Sequence, residues 1–423
     1  MRFLNEAQIE LIRERFGTPV FVYDQRELEA AADRVLAFPA PCLLVGRFAM
    51  KSLPNAAILQ IFDAKGLHID ASSGFEAQRA MLAGIPAANI QVTAQEMPLD
   101  LKGLIQRGVL FNACSLHQLR QFGLLFPGTE LSIRVNPGAG SGHNNRTNTG
   151  GVASSFGIWH EKLDEAFTIA NEFDLRLTGL HTHIGSGGDP EIWKRCAGLV
   201  LSIAERFPDL RRLSLGGGFK VARMENETGA NLEEIGAAIS PLIADFLAGR
   251  SGKTSADEFQ LEIEPGSFLV VNAGAILSKI VDIVDTGSDG YSFLKIDSGM
   301  TELLRPAMYG AQHPLSVVPH GRPPCSEFAE YIVAGHCCES SDILTPAAGD
   351  PEALEPRRMA LASIGDTLVI EGSGAYAAGM SAKNYNSFPE AAEVLIDTSG
   401  EPQLIRQRQT LDQSIENEVA KPS

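Results

Sequence analysis

Eight short apolar runs, each leading into a stretch with helical periodicity, fill the chain from about residue 40 to 275. They are Cys42–Val45, His68–Asp70, Ile90–Thr93, Leu110–Ala113, Leu131–Val135, Gly179–Ile184, Arg212–Leu215 and Leu261–Ile263. The first two helical stretches fall near Ala56–Lys65 and Gly74–Ala83. Strands that alternate with helices at this pace pair in parallel, because a parallel pair needs a crossover long enough for a helix. About eight such units predict a closed (β/α)8 TIM-like barrel. A doubly wound open sheet shares the alternation, so the pattern alone does not prove closure.

After Gly274 the rhythm changes. The runs Ile276–Val284, Tyr291–Ile296, Glu330–Ala334, Thr367–Ile370 and Glu393–Ile396 are strand-like and separated by turn residues. They predict a second, mostly β domain. The early run Pro19–Asp24 is strand-like too and is expected to pair with that domain. The predicted division is therefore an α/β barrel at 27–274, and a β domain built from 1–26 plus 275–423. A chain of 423 residues is long enough for two domains.

The formal net charge of −17 argues against unspecific binding to nucleic acid or anionic membrane, since the summed field repels phosphates. An anionic ligand would need a local pocket of donors. Met1–Phe16 mixes charges with apolar residues and reads as an amphipathic helix, without the continuous apolar core of a signal peptide. The longest apolar stretch, Phe268–Val284, is interrupted by Asn272, Ser278, Lys279 and Asp282, which predicts buried strand and not a membrane span. Six cysteines without a CxxC pair give neither a disulfide framework nor zinc spacing, and a reduced cytoplasmic protein fits best.

On a barrel, chemistry collects where strands end at their C-termini. Lys51, Asp70, His183, Gly216–Gly218 and Glu264 all lie at or just past such ends. A lysine beside apolar residues can be partly desolvated, which frees its amine for Schiff-base chemistry. Gly216, Gly217 and Gly218 would let backbone N–H groups approach a phosphate, with Ser186, Gly187 and Gly188 as a second donor turn. His181 and His183 are two apart, as on one face of a strand. That spacing suits a metal, a ring stacked on an aromatic cofactor, or a satisfied core histidine. Glu264 pointing into a barrel mouth needs a partner, and a protonated pyridine nitrogen or a salt bridge would serve. Cys337 and Cys338 follow a predicted strand, and a placement next to substrate would make one an acid–base group. Together the pieces look like a pyridoxal 5'-phosphate (PLP) site.

These motifs occur in a known order. The chain resembles the fold-type III PLP-dependent decarboxylases of the alanine racemase-like fold, and among them most closely those acting on diaminopimelate. The resemblance runs from Gly17-Thr18-Pro19 to about Arg408. It includes Asp70-Ala71-Ser72-Ser73-Gly74-Phe75-Glu76, Arg134-Val135-Asn136-Pro137-Gly138, Glu264-Pro265-Gly266, Arg305-Pro306-Ala307-Met308-Tyr309, Cys338-Glu339-Ser340-Ser341-Asp342 and Gly374-Ala375-Tyr376. It implies an amino-acid carboxy-lyase that releases CO2 from meso-diaminopimelate to leave L-lysine, and a homodimer with shared sites. It implies that Lys51 carries the cofactor, near Asp70, and that His183 stacks on the ring. Ser186, Gly216–Gly218, Gly266 and Tyr376 would surround the phosphate, with Glu264 on the pyridine nitrogen. Cys338, from the partner subunit, would return a proton to carbon. Arg305, Tyr309, Glu339 and Tyr376 would read the substrate. Relatives acting on ornithine, lysine, carboxynorspermidine or a siderophore or antibiotic intermediate, an amino-acid racemase, and a non-catalytic homologue are the alternatives.

One departure bears on substrate. The family usually carries Arg after Glu-Pro-Gly, and here that position is Ser267. Losing a bidentate cation removes a charge-assisted contact. Arg146, in the loop Gly138–Gly151, is a candidate replacement and otherwise a solvated loop residue.

Overall fold

The computed structural model describes residues 1–139, 150–183, 187–250 and 255–421. The chain divides into two compact units, one made of 29–221 and 228–269, the other of 1–28, 222–227 and 270–423.

The first unit is the barrel. Its strands are β1 (Leu43–Ala49), β2 (His68–Ala71), β3 (Ile90–Thr93), β4 (Leu110–Ala113), β5 (Glu130–Asn136), β6 (Arg176–His181), β7 (Arg212–Ser214) and β8 (Gln260–Ile263). Each pairs in parallel with the next, and β8 pairs with β1 through Leu261 opposite Leu44 and Ile263 opposite Gly46. That last ladder closes the ring and excludes the open sheet. Register matches the pattern of the sequence, with β strands bounded within a few residues of the apolar runs. The largest difference is at the end of β1, which runs past Val45 to Ala49. Strand β6 starts earlier, at Arg176, and ends at His181, so His183 lies beyond the strand and not on it.

Capping fixes where two of the helices begin. Asn55 accepts from the Ala57 N–H at 3.0 Å and starts the helix Ala56–Ala64. Ser73 accepts from the Glu76 N–H at 3.0 Å, while the Glu76 carboxylate accepts from the Ser72 N–H at 2.7 Å. The motif after Asp70 is thus a helix start that turns the chain sharply at the mouth of β2.

In the second unit the strand Val20–Asp24 lies between Gly274–Asp285, to which it is antiparallel, and Ala392–Ile396, to which it is parallel. The helix Glu6–Phe16 packs Ile9 and Ile12 on this sheet with Val20, Val22, Leu277, Val369 and Val394. The apolar stretch after Glu264 resolves into a helical turn, Ser267–Val270, followed by the long strand from Gly274. The strands Leu315–Val318 and Arg357–Ala360 are additional to the runs foreseen. Among the described residues no helix is long and apolar enough to cross a membrane.

Candidate active site

The barrel interior carries two polar layers. Lower down, the buried Glu262 of β8 accepts from Arg47 of β1 at 3.1 and 3.2 Å and from Arg212 of β7 at 2.9 Å. Burial pushes the Glu262 carboxyl up, but the two guanidinium groups outweigh it and hold it down at about 2. A buried carboxylate is tolerated only when paired in this way. Arg212 also donates to the Gln91 carbonyl, whose amide reaches Glu264 at 3.5 Å.

One layer up, Glu264 is held from three sides. Its Oε2 accepts from His181 Nε2 at 2.7 Å, and its Oε1 accepts from the Ser214 hydroxyl at 2.8 Å. Burial raises the Glu264 carboxyl, while His181, Ser214 and His183 together bring it to about 2. Asp70 moves the opposite way. Burial and then the charge on Glu264 lift it well above the carboxylate range, against the pull of Lys51 and Thr93. Two buried carboxyls thus share a region, and Glu264 keeps the negative charge.

Beyond Glu264 sits a glycine turn that leaves no room for side chains. A Cβ on Gly217 would lie 2.1 Å from the Glu264 carbonyl oxygen, and one on Gly216, at a φ of 71°, would lie 2.5 Å from His183 Nδ1. The Gly216 N–H donates to Ser214 Oγ at 3.1 Å, and the Gly217 N–H donates to His183 Nδ1 at 2.9 Å. Two of the three amides expected to face a ligand are therefore spent internally, which leaves the Gly218 amide among the described residues. Burial, then Arg134 and Lys51, push the His183 ring well below its ordinary pKa, so it is neutral with Nδ1 as acceptor. Gly266 is tightly seated too, since its Cβ would lie 3.3 Å from Ala49 Cβ.

Lys51 follows β1 by two residues, in a single 3-10 turn with Met50 and Ser52. Its charge acts on Asp70, Glu76 and His183. The apolar neighbours Met50 and Leu53 are buried, yet the Lys51 side chain is exposed, so burial against them is not what sets the lysine apart. His181 and His183 do not share a face: one serves Glu264, the other the glycine turn. Ser186 and Arg146 lie outside the described residues.

The chain contains a match to the family described as pyridoxal-dependent decarboxylase, pyridoxal binding domain, over residues 30–271. It is 36% identical over 414 residues to the diaminopimelate decarboxylase of Streptomyces coelicolor, covering 95% of this chain and 90% of that one. The chain belongs to the pyridoxal-dependent decarboxylases. A crystal structure of diaminopimelate decarboxylase superposes on this decarboxylase with a TM-score of 0.87 at 34% identity, covering 97% and 96% of the two chains. Another, from Helicobacter pylori and complexed with L-lysine, gives 0.84 at 25% identity, covering 96% and 98%.

The enzyme is a carboxy-lyase whose cofactor is PLP, and the residues present suit that group. An ionised carboxylate stands ready for a pyridinium nitrogen, a glycine turn excludes side chains beside it, and an exposed lysine lies within electrostatic reach of both histidine and carboxyl groups. The buried Asp70 Oδ1 and His181 Nδ1 have no hydrogen-bond partner among the described residues.

In the second unit of this decarboxylase, Arg305 lies over the rings of Tyr309 and Tyr376, 5.3 and 5.6 Å from their centroids. Tyr376 has a φ of 53°, a left-handed conformation that a bulky residue adopts only under constraint. Cys338 is exposed, and its N–H donates to Asn386 Oδ1 at 2.8 Å. Glu339, also exposed, accepts from Ser341 N–H and Oγ at 3.2 and 3.1 Å, which lowers its pKa. Cys337 is buried, and burial followed by Asp342 lifts its thiol to about 12, so Cys338 is the accessible thiol of the pair.

Sequence reading missed His181 as the support of Glu264, and with it Ser214, Gln91 and the Arg47–Glu262–Arg212 layer. The signal was present: polar residues at alternating positions on apolar strands, at 47, 91, 181, 212, 214 and 262, all point inward.

Proposed function

We propose that this decarboxylase acts on meso-diaminopimelate, releasing CO2 and leaving L-lysine, and so serves lysine biosynthesis in the cytoplasm. The observation that carries the chemistry is the anionic Glu264 beneath the glycine turn. A carboxylate fixed against the ring nitrogen keeps the cofactor, when bound, able to take up the electrons left by the departing carboxylate. Buried pairing with His181 and Ser214 keeps that charge in place throughout the working pH range. Likeness over nearly the whole chain to the Streptomyces coelicolor enzyme supports the choice of substrate.

Lys51 then holds the cofactor, Asp70 stays near it, and His183 lies against the ring. Ser186, the Gly218 amide, Gly266 and Tyr376 hold the phosphate, while Gly216 and Gly217, whose amides are taken by Ser214 and His183, keep the turn free of side chains. Cys338 of one subunit returns a proton to carbon in the site of another, in a homodimer, which suits its exposure on the chain. Arg305, Tyr309 and Glu339 read the substrate. The two units correspond to a cofactor-binding barrel and a substrate and dimer domain.

The test is CO2 release by the PLP-loaded protein from meso-diaminopimelate beside ornithine and lysine. Release from diaminopimelate well above the others supports the reading; preference for another amino acid overturns the substrate. Ser267 favours that second outcome, because it lacks the cation usual there. Lys51→Ala should abolish turnover, and borohydride followed by peptide mass mapping should mark Lys51 in the parent protein only.

A further inference from the structure

Two arginines that make no salt bridge among the described residues lie in one region of the second unit. The chain enters that unit briefly at 222–227, directly after the glycine turn and Phe219, and this excursion carries Arg223. Arg223 is half-buried, and its Nε donates to the Gly372 carbonyl at 3.3 Å. Its stem lies against Gly372, where φ is 65° and a Cβ would come within 3.2 Å of Arg223 Cγ. Neighbouring contacts fasten the segment: Asn272 donates to the Ala222 carbonyl at 3.2 Å, and Arg2 donates to the Arg223 carbonyl. The nearby Glu227 carboxylate accepts the N–H groups of Arg223 and Met224, at 2.7 and 3.0 Å. It therefore serves the backbone and makes no salt bridge to the guanidinium.

Arg305 is the second group. It rests on Tyr309 and Tyr376, and its buried Nε has no partner. Among the described residues neither arginine has a carboxylate in salt-bridge contact. Burial first, and Arg305 next, lower the Arg223 guanidinium to about 10. The buried His313, whose Nδ1–H donates to the Glu371 carbonyl at 3.0 Å, is pushed to about 3 by burial and then by Arg223, with Arg305 adding to it. His313 is thus neutral and does not add a third charge.

Two cations that act on one another partly out of water, with the backbone-bound Glu227 offsetting Arg223 only in part, favour the arrival of an anion. The chain carries a formal charge of −17, so this local excess of positive charge is not a property of the surface at large. We propose that Arg223, together with Arg305, receives the carboxylate at the end of the substrate remote from the reacting carbon. Arg223 is thereby a specificity-determining residue for amino acids with a second carboxylate. This rests on the diaminopimelate reading, and it accounts for Ser267: the cation absent there is supplied from the segment after the glycine turn.

The test uses the PLP-loaded holoenzyme. Arg223→Gln should raise KM for meso-diaminopimelate about 10- to 100-fold, the loss of one or two charged hydrogen bonds, with kcat held within a few-fold. Arg223→Lys should recover part of it. The inhibition constant of L-lysine, which keeps the remote carboxylate, should rise in parallel, while that of cadaverine, which has no carboxylate, should stay unchanged. Pimelate, which has both carboxylates and no amine, should bind the parent protein by calorimetry and bind Arg223→Gln at least about tenfold more weakly, on the same scale. An unchanged KM together with unchanged pimelate affinity overturns the assignment. If the parent protein ignores diaminopimelate but pimelate binding still depends on Arg223, the substrate reading fails and the anion site stands. Should Arg223→Gln melt early, Arg223→Lys decides by the same measurements.

Discussion

His181 Nε2 sits 2.7 Å from Glu264 Oε2, both groups buried in the barrel. The contact is the strongest reason that Glu264 stays ionised despite its burial. Replacing His181 by Phe removes one charged hydrogen bond of about 1.5–3 kcal/mol, which corresponds to roughly a ten- to hundredfold loss in kcat. The Glu264 pKa is depressed in the native site, so without His181 it rises. The acid limb of the pH–rate profile should therefore move to higher pH. An unshifted limb would separate His181 from Glu264.

Glu262 supports the layer below. Its folded pKa of about 2 lies under the ordinary carboxylate value, so its contribution is present above that ordinary value and disappears as pH falls toward 2. Spread over that window it amounts to about 3 kcal/mol. Glu262→Gln leaves Arg47 buried without its anion and should cost about 3–5 kcal/mol at neutral pH. Urea midpoints at pH 7 measure this, and equal midpoints would contradict it.

Glu302 behaves oppositely. Burial lifts its pKa to about 7, against hydrogen bonds from Thr301 and the Gly299 N–H. A raised carboxyl contributes its full stability below its unfolded pKa and loses it as pH rises through 7. Glu302→Gln keeps an acceptor without the titration. Relative to the parent, the variant should gain about 3 kcal/mol between pH 4.5 and pH 8, read as melting temperature at the two values. Parallel pH curves for the two proteins would count against it.

Cys338→Ala tests the exposed thiol. Loss of a positioned proton donor should slow turnover by about 10²- to 10⁴-fold, while cofactor absorbance stays at the parent level. Unchanged turnover would remove Cys338 from the reaction.

Much of this was legible in the chain. Eight apolar runs foretold eight barrel strands because a strand buried on both faces leaves a short continuous signature. Lys51, Asp70 and Glu264 were singled out because strand C-termini concentrate chemistry, and Asp70 and Glu264 do lie buried at or just past the ends of β2 and β8. The partners of those residues were harder to see. His181 meets Glu264 from 83 residues away, and Arg212 meets Gln91 from 121. Closure of the ring sets those distances, and no local pattern encodes them. Arg223 was silent for a different reason: its segment is polar, irregular and short, and reads as an ordinary loop until the fold carries it into the other unit.

The place of Val20–Asp24 bears on how the protein is made. This early strand takes its neighbours from Gly274–Asp285 and Ala392–Ile396, so a ribosome must translate most of the message before the strand finds either edge. The barrel has all eight of its staves by residue 263. Its ring can therefore assemble on the nascent chain, while the amino-terminal segment waits for the last strand to emerge.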